Sequence, residues 1–532
     1  MSATTSMAML LASLTLYLIS RLVQRRRNGL PLPPGPKGLP LLGNINDMPK
    51  PGDREWEHWV KHKELYGPIS SVTVMGQTMV IINDAEIAFD LLRDRYAKHS
   101  SRAPMVFAGD IVGFNKSISM RPYDESWRVQ RKNIAKVTSN AASLKMFDAV
   151  QEVETAHFLL NVLESPDKLF DHIRKEAGSV ILKITYGYNA EQHGPDPLID
   201  LAGATVKAFS ESLAPGKWAV DIFPFLRYVP EVFPGMAWKR RGREYAQILV
   251  QAVEQPFALV KHQLRKNENK TSYVSQVLED TKTDKAMEFA HKWSAMALFG
   301  AGADTTVAAL MIFFLAMSVF PEVQKTAAEE IHRVVGSHRL PVSADRDNLP
   351  YIMAVMKETH RWHTIAPMCV PHASSAEDSY RGYKIPQGAL LLPNIWWFTH
   401  NPAVYPDPMA FRPERFIDTA THKSEPDPRN FVFGFGRRVC PGRYVADNAL
   451  FVTIAQALAV FSIEKPVENG VVVEPEIRFE AGLVSHPVPY RVAIKPRSKL
   501  HEDLIKASEL KYPWEESDAK ALENVQWHPE EV

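Results

Sequence analysis

Apolar residues dominate one unusually long stretch, from about Ala286 to Phe320, and Pro321 closes it. The run is far longer than a strand, so it predicts a single long helix whose faces are nearly all buried. Leu349 to Trp362 predicts a second helix, and Arg443 to Phe461 a third whose apolar spacing packs it into a core. Thr73 to Ile82 (TVMGQTMVII) and Ala389 to Phe398 (ALLLPNIWWF) read as short strands. The class is therefore mainly α with a minor β part. From Asp53 to about Pro489 there is no second linker, internal repeat or low-complexity tract, although the length alone would suggest about three or four domains.

The two ends differ from the middle. Met1 to Ser20 contains no charged side chain, and a helix of about 20 residues just crosses roughly 30 Å of hydrocarbon. The first charges, Arg21 and Arg25 to Arg27, follow the apolar run instead of preceding it. That order predicts an uncleaved, single-pass anchor over 1–27 with the body on the cytosolic side. The closely spaced prolines of 28–44 predict a stiff spacer holding that body off a membrane. Residues 496–532 are polar with acidic clusters, and predict a surface helix or a frayed tail.

Composition narrows the function classes. A net charge of +1 over 532 residues provides no basic field for a phosphate backbone, so nucleic acid is not the expected partner. The two cysteines, Cys369 and Cys440, cannot build a disulfide framework, which fits a reducing compartment. Cys369 lies in the apolar stretch IAPMCVP and reads as a core or pocket-wall residue.

Cys440 stands in FGFGRRVCPGR (Phe433 to Arg443). Gly434 and Gly436 allow a tight turn that brings backbone N–H groups toward the sulfur. Pro441 suits the first turn of a helix, and a helix N-terminus favours an adjacent negative charge. Both features suit a thiolate, the form of cysteine that binds metal. Arg438 offers a forked donor to a carboxylate of a bound ligand. Around LFGAGADTTVAA (Leu298 to Ala309), the preceding Ala297 with Ala301, Thr305 and Ala308 recur at helical spacing, leaving a face against which something flat and large can lie. The acidic Asp304 in that apolar helix is costly without a purpose. In KETHRWH (Lys357 to His363), Glu358 and Arg361 share a helical face, and the two histidines, lacking a third ligand at suitable spacing, read as helix-surface residues.

Phe433, Gly434, Gly436, Arg438, Cys440 and Gly442 spell F-G-x-G-x-R-x-C-x-G, which resembles the haem-binding signature of the cytochrome P450 family. The resemblance runs from the proline-rich segment to about residue 495. It implies one catalytic haem domain over 45–495, against the length prior. It also implies Cys440 as the axial ligand of haem iron. AGADTT resembles the family's oxygen-activation motif, with Thr305 holding a proton-delivering hydrogen-bond network and Asp304 feeding it. Trp127 and Arg131 in SWRVQRK, together with His372, resemble donors to the haem propionates. Glu358, Arg361 and Arg415 (in FRPERF) match a structural Glu-Arg-Arg network. The wording of the chain is most similar to fungal monooxygenases of the O-methylsterigmatocystin oxidoreductase type, enzymes of secondary metabolism.

Such an enzyme inserts one atom of O2 into a hydrophobic small molecule at the endoplasmic reticulum membrane. The chain shows no dinucleotide fingerprint, so NADPH electrons are expected through a separate NADPH-cytochrome P450 reductase, docking near Arg437 and Arg443. A haem-thiolate isomerase or dehydratase, and a non-enzymatic haem sensor, are the alternative classes; Asp304 and Thr305 argue against them. By the same resemblance the substrate pocket is expected around 107–120, 208–232, 364–370 and 482–489, with Phe107, Phe114, Phe223, Phe225 and Ile365 as apolar wall residues.

Overall fold

The computed structural model describes residues 29–50, 52–139, 141–214, 216–279 and 284–527. The anchor expected over 1–27 lies outside them. Among the described residues one helix, Lys285–Val319, is long and apolar enough to cross a bilayer. It is the core helix predicted from the apolar run.

The principal helices, in chain order, are α1 (Glu55–Tyr66), α2 (Glu125–Thr138), α3 (Ala141–Glu164), α4 (Leu169–Tyr186), α5 (Pro197–Ser212), α6 (Trp238–Lys266), α7 (Lys285–Val319), α8 (Pro321–Val334), α9 (Pro350–Trp362), α10 (Ile395–His400), α11 (Arg443–Val460) and α12 (Lys499–Lys511). Asp284 starts α7 by accepting a hydrogen bond from the Met287 amide, and Pro321, which cannot continue the ladder, opens α8. The second half of α7, Val307 to Met317, is buried against α3, α4, α9 and α11 in the largest apolar cluster. Burial on every face is what its unbroken apolar sequence requires.

The β part is one sheet of four strands with short ribbons around it. Its order is β1 (Ile69–Val74), β2 (Gln77–Ile82), β4 (Leu390–Pro393), β3 (His372–Ala373). β1 and β2 form an antiparallel hairpin, with Ser71 opposite Val80, and β2 runs parallel to β4, with Ile81 opposite Leu392. The strand expected over Ala389 to Phe398 is thus only half a strand. Asn394 ends it: its side chain accepts from the Trp397 amide and caps α10.

Three further expectations meet the structure as follows. The proline-rich segment, expected as a stiff spacer, is tied to the body: Pro34 and Pro33 carbonyls accept from the Ser71 amide and hydroxyl, and Pro31 accepts from the Lys384 amide. A Cβ on Gly35 would sit 1.9 Å from the Ser71 carbonyl oxygen, so this approach needs glycine. The C-terminal segment does form a surface helix, but beyond it the chain is packed down. Trp514 stacks on His157 at 4.0 Å, Asp518 accepts from Lys270 and the Asn189 amide, and Leu522 is buried. Finally, His360 and His363 are not surface residues. Both are buried at the end of α9, where burial holds His360 down to about 4 and His363 well below its ordinary value, so both are neutral. His360 packs edge-on against Phe433, and His363 stacks on Phe479.

Candidate active site

A cavity of about 390 Å³ lies between α2, α4, α5, α7 and the start of α11, and Cys440 is in its wall. The loop that carries the cysteine is set by two glycines with positive φ, Gly434 at 81° and Gly436 at 53°. Gly436 also admits the Leu92 carbonyl, which a Cβ would meet at 2.3 Å. The Cys440 amide donates to the Phe433 carbonyl at 2.7 Å, closing the loop, and Gly442 caps α11 immediately after it. Burial pushes the Cys440 thiol up, while the Gly442 amide, Arg131 and Arg443 favour the thiolate. A metal ion at the sulfur would displace the proton outright.

Opposite the loop, α7 supplies Ala297, Gly300, Ala301, Asp304, Thr305 and Thr306 to the wall. Thr305 donates to the Ala301 carbonyl at 2.9 Å, so its hydroxyl oxygen keeps its lone pairs for the cavity. The small residues of this helix have two uses. Gly302 exists for helix packing, since a Cβ there would meet Ile181 of α4 at 2.6 Å, and Ala308 is fully buried away from the cavity. The others leave open space.

Three guanidinium groups, of Arg102, Arg131 and Arg438, line the same cavity. Arg438 donates to the carbonyls of Ser100, Ile118 and Arg121, leaving part of its fork unused, and lies 4.8 Å over the Trp127 ring. Burial and the charges of Arg102 and Arg131 hold Arg438 down to about 8. Trp127 is buried on the wall, and its indole N–H has no partner among the described residues. Concentrated positive charge and an orphaned donor together call for an anionic acceptor. A haem with two propionates fits this wall, and Cys440 fits its iron.

His372 is fully buried in β3, behind the cavity wall, and its Nδ1–H donates to the His99 carbonyl at 2.7 Å. Its Nε2, like the Trp127 indole, has no partner among the described residues. Arg102, which sequence reasoning missed, lies in the wall itself. Nothing local marks it; it reaches the site because its fork is fixed by the carbonyls of Ser119, Val370 and Pro371.

Glu358, Arg361 and Arg415 meet outside the cavity, all buried. Arg361 grips both Glu358 oxygens at 2.7 and 2.8 Å, while Arg415 Nε and the Arg412 amide donate to Oε1 at 3.2 and 2.7 Å. The substrate wall was anticipated only in part. Phe114 and Ile365 line the cavity, but Phe107 is stacked on Trp218 behind it, and Phe223 and Phe225 are exposed. Missed entirely were Val180, Ile181 and Ile184 of α4, and Glu176, whose carboxyl is pushed up to about 8 by burial.

A cysteine in a glycine-shaped loop, facing an acid-alcohol pair across a cavity ringed by arginines, defines a haem-thiolate protein. The chain belongs to the cytochrome P450 family, whose model matches residues 33–494. It is 44% identical over 495 residues to the cytochrome P450 monooxygenase ppsD of Aspergillus oryzae, covering 92% of this chain and 94% of that protein. It is 43% identical over 500 residues to the cytochrome P450 monooxygenase claR of Ampulloclitocybe clavipes, covering 93% and 91%. The O-methylsterigmatocystin oxidoreductase of Aspergillus flavus is 38% identical over 510 residues, covering 96% of each chain. By this kinship the chain is a haem-thiolate monooxygenase.

Proposed function

We propose that this monooxygenase inserts one oxygen atom into an apolar intermediate of fungal secondary metabolism, at the endoplasmic reticulum membrane, with electrons from an NADPH-dependent reductase. A single observation carries the reading: Cys440, the unneutralised arginines and the Asp304–Thr305 pair all face one cavity. Haem, held by the Cys440 thiolate, supplies the reduction and splitting of O2 when bound. Arg131, Arg438, Arg102 and the Trp127 indole would hold its propionates. Phe114, Ile118, Phe209, Ile365 and Val484 give the substrate an apolar wall and exclude water. Asp304 supplies protons, and the Thr305 oxygen, fixed by its bond to Ala301, holds the water that carries them. The Glu358 network ties the core together, within one catalytic domain over 45–495. Arg437 and Arg443, beside the cysteine loop, give the reductase a basic docking face.

Thr305→Ala tests this assignment. The variant keeps its haem spectrum and still consumes NADPH with reductase, but product per NADPH falls several-fold and hydrogen peroxide rises to match. Asp304→Asn slows turnover. Equal product-to-NADPH ratios in wild type and Thr305→Ala would mean that the hydroxyl only packs.

The anchor has its own test. Deleting residues 1–28 sharply weakens sedimentation with microsomes while the haem spectrum survives. Some retention remains through exposed Leu41, Phe225, Tyr228 and Val232. Undiminished sedimentation would rule out the anchor.

A further inference from the structure

The acid Asp304 has a partner 182 residues away in the chain. Nε2 of His486 lies 3.2 Å from each Asp304 carboxylate oxygen. A carboxylate only accepts, so Nε2 carries the proton that joins them. Asp304 and Thr305 both line the cavity, whereas His486 lies behind that wall and is part-exposed at 22%. The pair therefore leads outward from the cavity wall.

His486 is also held in place with some care. Its loop lies at the end of α9: the Ser485 amide donates to the Ile365 carbonyl at 2.8 Å, and the Glu480 amide donates to the His486 carbonyl at 2.8 Å. The buried, neutral His363 donates through Nε2 to the Ser485 hydroxyl at 2.8 Å, which in turn donates a hydrogen bond to the Glu480 carbonyl at 2.7 Å. Phe479 pairs with Pro487 across the loop, stacks on His363 and packs against the main core. Every one of these contacts fixes the backbone on either side of the imidazole. Leu483 and Val484 of the same loop line the cavity.

We propose that His486 is a positioning residue and the outer step of the proton supply: it holds the Asp304 carboxylate toward the cavity and refills it from solvent. A hydronium ion gives a proton to Nδ1 and leaves as water, while Nε2 gives its proton to the Asp304 carboxylate. The ring is then left neutral with its proton on Nδ1, and exchange with water restores the starting tautomer. Imidazole suits the task because it can accept on one nitrogen while donating from the other. The inference rests on the reading of Asp304 as proton source given above.

The distinguishing variant is His486→Gln. A glutamine amide can still donate to Asp304 but cannot relay a proton, so a merely structural role would survive it. In the haem-loaded enzyme with reductase, His486→Gln is expected to keep its melting midpoint near wild type. Its share of peroxide rises several-fold and its solvent deuterium effect on product per NADPH grows. The double variant with Asp304→Asn is no worse than Asp304→Asn alone, because both residues serve one path. Independently of turnover, in the reduced carbon monoxide form labelled with 15N-histidine, the His486 Nε2–H resonance is protected from exchange in wild type and lost in Asp304→Asn. If Asp304→Asn uncouples but His486→Gln matches wild type, the relay is overturned while the Asp304 assignment stands. If the double variant is worse than either single variant, the two act on separate paths and the relay is likewise overturned. If Asp304→Asn itself leaves coupling unchanged, the underlying assignment fails first.

Discussion

Glu358→Gln will destabilise the enzyme by about 3–5 kcal/mol, the usual penalty for removing one partner from a buried ion pair. Glu358 is fully buried and accepts four hydrogen bonds, three from the guanidiniums of Arg361 and Arg415 and one from the Arg412 amide. A neutral amide has one acceptor oxygen, and its NH2 group would face an arginine N–H. Arg361 would then keep only the carbonyls of Thr399, Pro408 and Ala410, and Arg415 would lean on Glu425. These bonds tie α9 to the segment around Pro408 to Glu425, which leads into the cysteine loop. The loss should therefore appear twice, as a lower urea midpoint and as poor haem content in the purified protein. Arg361→Lys tests the geometry separately: it preserves charge but not the fork, and is expected to fall between wild type and Glu358→Gln. A Glu358→Gln protein with wild-type midpoint and full haem content would show that the network holds nothing together.

How much of this was legible in the chain depends on how local the physics is. Phe433 to Gly442 fixes the cysteine loop through residues within ten positions of each other, so its glycines, arginine and cysteine can be read together. The Asp304–Thr305 step on α7 and the Glu358–Arg361 pair on α9 are local for the same reason, since helical spacing alone places them. The same apolar pattern gave the bounds of α7 almost to the residue.

What was missed is tertiary. Val180, Ile181 and Ile184 of α4 carry no chemical signature, and only the packing of α4 on α7 turns them into cavity wall. Phe223 and Phe225 are as apolar as true wall residues, but the turn at Pro224 leaves them at the surface. His363 was read as exposed because histidine on a polar helix end usually is, while the loop carrying Phe479 and Ser485 closes over it from far along the chain. Arg102 was missed because only the carbonyls of Ser119, Val370 and Pro371, the latter two far along the chain, fix it at the wall. The half-strand at Ala389 to Phe398 shows how one capping side chain, Asn394, overrides an apolar run that looks continuous.

The second large effect concerns Cys440, on which the whole functional reading turns. Its sulfur is the only thiol in the cavity wall among the described residues, since Cys369 packs in the apolar cluster beneath the cysteine loop. Replacing Cys440 with His leaves a ligand able to bind iron, because imidazole is a good haem ligand, but it removes the electron donation that only a thiolate supplies. Cys440→His is therefore expected to retain some haem and lose essentially all monooxygenase activity, while Cys369→Ser keeps both. The direct measurement is the absorption spectrum of the dithionite-reduced protein under carbon monoxide. Wild type and Cys369→Ser should both give the Soret band of a thiolate-ligated haem, shifted to longer wavelength, and Cys440→His should give the shorter-wavelength, globin-like band of imidazole ligation; a thiolate band that persists in Cys440→His would contradict the assignment of this cysteine as the haem ligand.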